Sequence, residues 1–281
     1  MHASLRWGSL ACAIVFACVP ALGADGAGWS VRLAARQEVN YKGLPLGDHG
    51  GAAQAMMYPA PNLVGLMAGI VAHGLVATSV RNGEKSDAEK AADKVIDPYR
   101  ASLAGFTEGE LGKAALAGAA LDGAHLLNTG DAAPGKVLDV APVFFLSQER
   151  DVLVLDNSIA VSRGSGEPYR NLVRVVSRPR PPGGWEADGA RALKTESAAL
   201  LALSLDIALA QSVPASAADK PAQQRTVRYT LGGKETFERA EILQEHCGRA
   251  LIRNLRGWLM SVPLSRPPQP ADPACKENAV L

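Results

Sequence analysis

"VLDVAPVFFLSQERDVLVLDNSIAVSRGSGEPYRNLVRVVS", residues 137–177, holds three runs rich in Val, Leu and Phe, punctuated by "QER" and "RGSGEP". Runs of β-branched and aromatic residues bounded by short polar or glycine-bearing turns read as strands, and connections this short make consecutive strands antiparallel neighbours. The stretch therefore predicts a three-stranded antiparallel meander over 137–178. A helical block precedes it and a long helix follows, so this meander sets the fold class as α+β.

Upstream the period changes. "SDAEKAADKVIDPYRASLAGF" offers Ser86 with Glu89 at capping-box spacing, and a second helix start with Asp97 as N-cap and Pro98 at the first helical position. "TEGELGKAALAGAALDGAHLL" repeats the device with Thr107 and Glu110. Residues 60–127 thus predict an Ala- and Gly-rich helical block. "GWSVRLAARQEVNY" before it, residues 28–41, reads as a strand.

The block begins with "NLVGLMAGIVAHGLVATSV", residues 62–80, which carries no Asp, Glu, Lys or Arg. A membrane span needs roughly twenty apolar residues. Gly65, Gly69 and Gly74, with polar Asn62, His73, Thr78 and Ser79, favour a buried or membrane-apposed helix. The competing reading is a span that anchors an inner-membrane subunit.

Downstream, "RPRPPGGW" reads as a rigid linker, and "ADGARALKTESAALLALSLDIALAQS" as one long helix with Leu193, Ala198, Leu201, Leu205 and Leu209 along a stripe. In "RTVRYTLGGKETFERAEILQEHCGRALIRNLRGWLMSVP" the glycines fall at short spacing between strand-like pieces 226–231, 242–245, 250–255 and 258–262. Leu243, Cys247, Leu251 and Trp258 would equally fit a helical face, but Gly248 and Gly257 sit where turns are wanted. That rhythm resembles a small SH3-like β-meander over about forty residues. The organisation expected is a signal peptide at 1–23, an α+β domain at 24–180, the long helix plus a small β-rich unit at 181–263, and a Pro-rich tail at 264–281.

The amino terminus bears on compartment. Arg6, an apolar run from Leu10 to Val19, then Pro20, Ala21 and Gly23 compose the charge, short core and small-residue exit of a secretory signal. "VFAC", ending at Cys18, resembles a bacterial lipoprotein cleavage box, from which Phe16 departs. Cleavage before Ala24 leaves Cys247 and Cys275, which predict a disulfide in an oxidising compartment. It would tie the tail to the last folded element and contribute about 3 kcal/mol in the chain-entropy model.

A formal net charge of +1 gives no reason to expect a polyanion, and an aromatic content of 5% is too low for nucleic-acid stacking platforms. No two histidines or cysteines stand at zinc-ligand spacing. "GGKET" has Glu235 where a phosphate loop needs Ser or Thr, and Ser165 has Arg163 two places earlier, where a nucleophile elbow needs Gly. His49, beside Asp48, with His125 and His246 are the candidates for a His–carboxylate site. Arg163, Arg170, Arg174, Arg178 and Arg180 form a basic run opposed only by Glu167, a candidate surface for acidic headgroups or an acidic partner.

The expectation is an exported, non-catalytic envelope protein with a binding or assembly role, partnered by an envelope protein or a membrane surface. It calls for no nucleic acid, metal or cofactor. The alternatives are an exported hydrolase and an inner-membrane subunit.

Overall fold

The computed structural model describes residues 28–33, 38–45, 81–128, 131, 135–164, 166–181, 183–213 and 223–265. They build a mixed α and β architecture in which helices cover one face of a ten-stranded sheet. The opening stretch supplies its centre. β4 (Lys136–Leu146), β5 (Leu153–Arg163) and β6 (Tyr169–Val176) pair antiparallel in chain order, with Leu146 opposite Leu153 and Val161 opposite Tyr169.

The Val- and Leu-rich runs follow from burial on both sides. Along β5, Leu153, Leu155, Ile159 and Val161 join the core beneath the helices, while Val152, just before the strand, and Val154 join a second core on the opposite face. A sheet covered on both faces favours near-continuous apolar runs over clean alternation.

The segment 28–41 is not one strand. β1 (Ser30–Leu33) and β2 (Tyr41–Gly43) lie one after the other along β4, both parallel to it, Leu33 opposite Val140 and Tyr41 opposite Phe144. β3 (His125–Leu126) adds to the outside of β1.

Between β2 and β3 the described helices are α1 (Arg81–Asp93), a 3-10 turn (Lys94–Tyr99), α2 (Arg100–Leu103) and α3 (Glu108–Gly118). α1 starts five residues before the expected cap at Ser86. Asp97 caps nothing; Pro98 lies inside the 3-10 turn, and Asp97 instead accepts from Arg100 Nε at 2.7 Å. Thr107 does close the expected capping box: its hydroxyl accepts from the Glu110 amide, and Glu110 accepts from the Thr107 amide at 2.9 Å. The apolar segment 62–80 lies outside the described residues. Among the described residues no helix is long and apolar enough to cross a membrane.

The long helix α4 (Ala187–Gln211) packs across β4, β5 and β6 and against α3. Leu193, Leu201 and Leu205 are buried as its stripe requires, with Leu200 and Leu203 buried as well because two neighbours cover it. One polar tie registers helix on sheet. Asn157 of β5 donates to Ser204 Oγ at 2.9 Å and accepts from the Ala141 amide, beside Pro142, which has no amide to offer.

Residues 224–263 form strands, not a helix: β7 (Gln224–Leu231), β8 (Lys234–His246), β9 (Arg249–Asn254) and β10 (Leu259–Pro263), antiparallel in chain order. They continue the central sheet, because β10 pairs parallel with β6, Leu259 opposite Val173. The strand order is β3-β1-β4-β5-β6-β10-β9-β8-β7. Tyr229 bridges to Leu264, and the Ser265 amide reaches the Arg228 carbonyl, so β7 curls back onto the chain beyond β10. Val227, Tyr229, Ala240, Ile252, Met260 and Val262 enclose the second core inside this curl.

Candidate functional site

The five arginines of the basic run do not form one surface. Arg163 donates to the Ser212 carbonyl and hydroxyl at the end of α4 and stacks over Trp29. Arg170 pairs only loosely with exposed Glu167, at 3.8 Å. Arg174 closes a bidentate pair with Asp156, Nε to Oδ1 at 2.7 Å and Nη2 to Oδ2 at 2.8 Å. Arg178 donates to the Cys247 carbonyl at 2.8 Å. Arg180 bonds Glu196 of α4 at 2.9 Å and lies over the Trp185 ring. Arg170 and Arg174 share a face, as their spacing requires, but Arg174 points into the second core. A strand pattern reports which side a residue faces and is silent about what covers that side.

Inside the curl, Glu238 on β8 reaches toward Asn254, Arg174 and Arg256. Burial raises its carboxyl above the ordinary glutamate value, with the two arginines and Asn254 pulling the other way. The Asp156–Arg174–Glu238 group thus places opposite charges between the central strands and the C-terminal ones.

The described candidate histidines, His125 and His246, do not converge. His125, exposed on β3, shares a hydrogen bond with Ser30 Oγ at 3.2 Å. His246 ends β8, seven places away in the strand order. His49 lies outside the described residues. Among the described residues no group of three or more His, Cys, Asp or Glu side chains could hold a metal ion.

His246 does meet basic company. It stands opposite Arg249 in the β8–β9 ladder, and Cys247-Gly248 makes the two-residue turn between them, with φ of 49° and 74°. Both positive angles suit the turn type that matches strand twist, although Cys adopts such a φ at a cost. The turn is clamped from two sides: Arg178 holds the Cys247 carbonyl, and the Leu264 amide donates to the Gly248 carbonyl at 2.8 Å. Cys275, the expected partner of Cys247, lies outside the described residues.

Arg249 itself is 8% exposed. Its Nε donates to Ser261 Oγ at 3.2 Å, and Nη2 donates to the Val176 carbonyl at 2.7 Å and the Ser261 carbonyl at 3.0 Å. All of these acceptors are neutral. Burial, then the nearby Arg178, push its pKa down to about 10, with Glu196 opposing; the guanidinium stays charged at neutral pH. Arg249, Glu238 and Asp156 carry no signal in the sequence, because each draws its meaning from strands far away along the chain. The one local hint is the glycine after Cys247.

No protein-family model matches the chain, and no curated protein matches it. A solved structure described as the crystal structure of an uncharacterized protein is similar at 10% identity, covering 66% of this chain and 90% of that one. Its TM-score is 0.26, which carries no argument about function.

Proposed function

We propose that the chain is an exported protein of the cell envelope that acts by binding or assembly and not by catalysis. The observation that carries the reading is the use made of charged side chains. Arg163, Arg174, Arg178 and Arg180 each tie two separate parts of the fold together. Such ties give a rigid scaffold, and rigid scaffolds with charged rims suit recognition. The leader-like amino terminus supports export, and so does a cysteine held at a clamped turn beside the point where the tail departs. A Cys247–Cys275 disulfide closing that tail belongs to this proposal. The four curled C-terminal strands are then a small SH3-like unit fused to the main sheet, and they carry the binding role.

Alkylation of Cys247 and Cys275 in intact bacterial cells tests the compartment. Thiols that react only after reduction support export. Thiols free but shielded from an impermeant reagent until lysis overturn it, and would make the protein an inner-membrane subunit facing the cytoplasm.

A further inference from the structure

We propose that the corner formed by Arg178 and Arg249 binds a tetrahedral oxyanion of the phosphate type, free or carried on a lipid headgroup. The inference rests on reading the protein as a binding module and names its ligand class.

The argument starts from Arg249. Removing a guanidinium from water is costly unless a counter-charge is supplied, and neutral acceptors return only part of that cost. Among the described residues no carboxylate bonds Arg249. Glu196 acts on it through space, and that carboxylate is already bonded to Arg180. Arg178, exposed at the rim, adds a second positive charge to the same corner. The Arg249 guanidinium reaches across β10 to Val176 of β6, two residues before Arg178, and so away from His246 on β8.

Three arginines around one glutamate leave two positive charges in excess. That matches a doubly charged tetrahedral oxyanion better than a monocarboxylate, and planar guanidinium forks are the groups that grip such oxygens. The Arg249 side chain is held in place, since its guanidinium donates to the Val176 and Ser261 carbonyls of two neighbouring strands. The elements that build the corner are the end of β6, the β8–β9 turn and the first half of α4.

The test is titration of the full chain with inorganic phosphate at constant ionic strength, chloride making up the difference, read by calorimetry and by the thermal midpoint. One-to-one binding with a rising midpoint is expected. Arg178→Gln should weaken the affinity by at least about tenfold. Arg249→Met should lose the phosphate-dependent rise. Should Arg249→Met fail to fold, Arg178→Gln, altered at an exposed side chain, still decides. Sedimentation with phosphatidylglycerol against phosphatidylcholine vesicles separates the sources: anionic-vesicle binding lost in Arg178→Gln points to a headgroup, phosphate binding without vesicle binding to the free ion. A wild-type midpoint that responds to phosphate no more than to chloride overturns the site, as does an unchanged affinity in both variants. Neither failure touches the export reading, which the cysteine alkylation decides separately.

Discussion

Arg174 on β6 and Asp156 on β5 face each other across the ladder and form a two-pronged ion pair whose arginine side chain is only 2% exposed. The pair stands next to Met260 in the same row, so it is sealed under the curled C-terminal strands. Buried pairs add little net stability, yet breaking one leaves an uncompensated charge inside. We expect Asp156→Ala to lower unfolding stability by about 3–5 kcal/mol, and Asp156→Leu with Arg174→Met together to come close to the parent. Denaturant unfolding of the three variants checks this. A double variant as damaged as the single would mean that the pair is needed for the strands to join at all.

How much of this fold the chain announces depends on the range of the interaction. Thr107 with Glu110 is legible because a capping box spans four residues, and the long helix because its stripe repeats within itself. Strand character in 137–177 is equally local. The parallel join of β10 to β6 is not legible, since Leu259 and Val173 come together over more than eighty positions with no turn between them to signal it. The same holds for Arg249, whose Val176 contact lies 73 residues away. Its strand, "RALIRN", looks like any half-buried edge, and nothing in it says that a second arginine waits beyond the turn.

Gly43 makes a sharper case. A Cβ at this position would stand 1.9 Å from the Ala92 carbonyl oxygen, while its amide donates to Asp93 Oδ1 at 2.8 Å. β2 and α1 therefore meet backbone to backbone, and no side-chain shift can relieve an added methyl. Gly43→Ala should cost about 3 kcal/mol, at the upper end of ordinary overpacking. Gly109→Ala, where the nearest atom would be Thr107 Oγ1 at 3.9 Å, should raise stability by about 0.5–1 kcal/mol through helix propensity. Thermal midpoints moving in opposite directions are the expected result. A tolerated Gly43→Ala would mean that β2 does not seat against α1.

Removing the Thr107 hydroxyl tests the start of α3. Thr107→Ala should cost about 1 kcal/mol, since the Glu110 amide loses its acceptor. The Glu110 carboxyl is held below the ordinary glutamate value, first by the Thr107 amide and then by its hydroxyl. A carboxyl depressed in the folded state contributes stability that is present above its unfolded value and lost as pH falls through its folded one. Glu110→Gln should therefore flatten the acid side of the stability profile below the ordinary glutamate range, and equal acid slopes in both proteins would refute the assignment.

Asp206 on α4 has the opposite sign. It accepts the Ala120 amide at 3.0 Å just beyond α3, and burial, the larger effect, raises its pKa above the ordinary aspartate value. The folded state then binds more protons than the unfolded one between the two values. The stabilisation from this group is complete below the unfolded pKa and is lost as pH rises through the folded one. Asp206→Asn keeps an oxygen for the Ala120 amide and never carries the charge. It should be at least as stable as the parent at neutral pH, with its advantage shrinking as acid protonates the parent's aspartate. Asp206→Ala, lacking the acceptor, should fall below Asp206→Asn at every pH. Unfolding midpoints of the three proteins from pH 4 to 8 decide the matter: an Asn variant weaker than the parent at neutral pH would show that the Ala120 amide gains more from the negative charge than burial takes away.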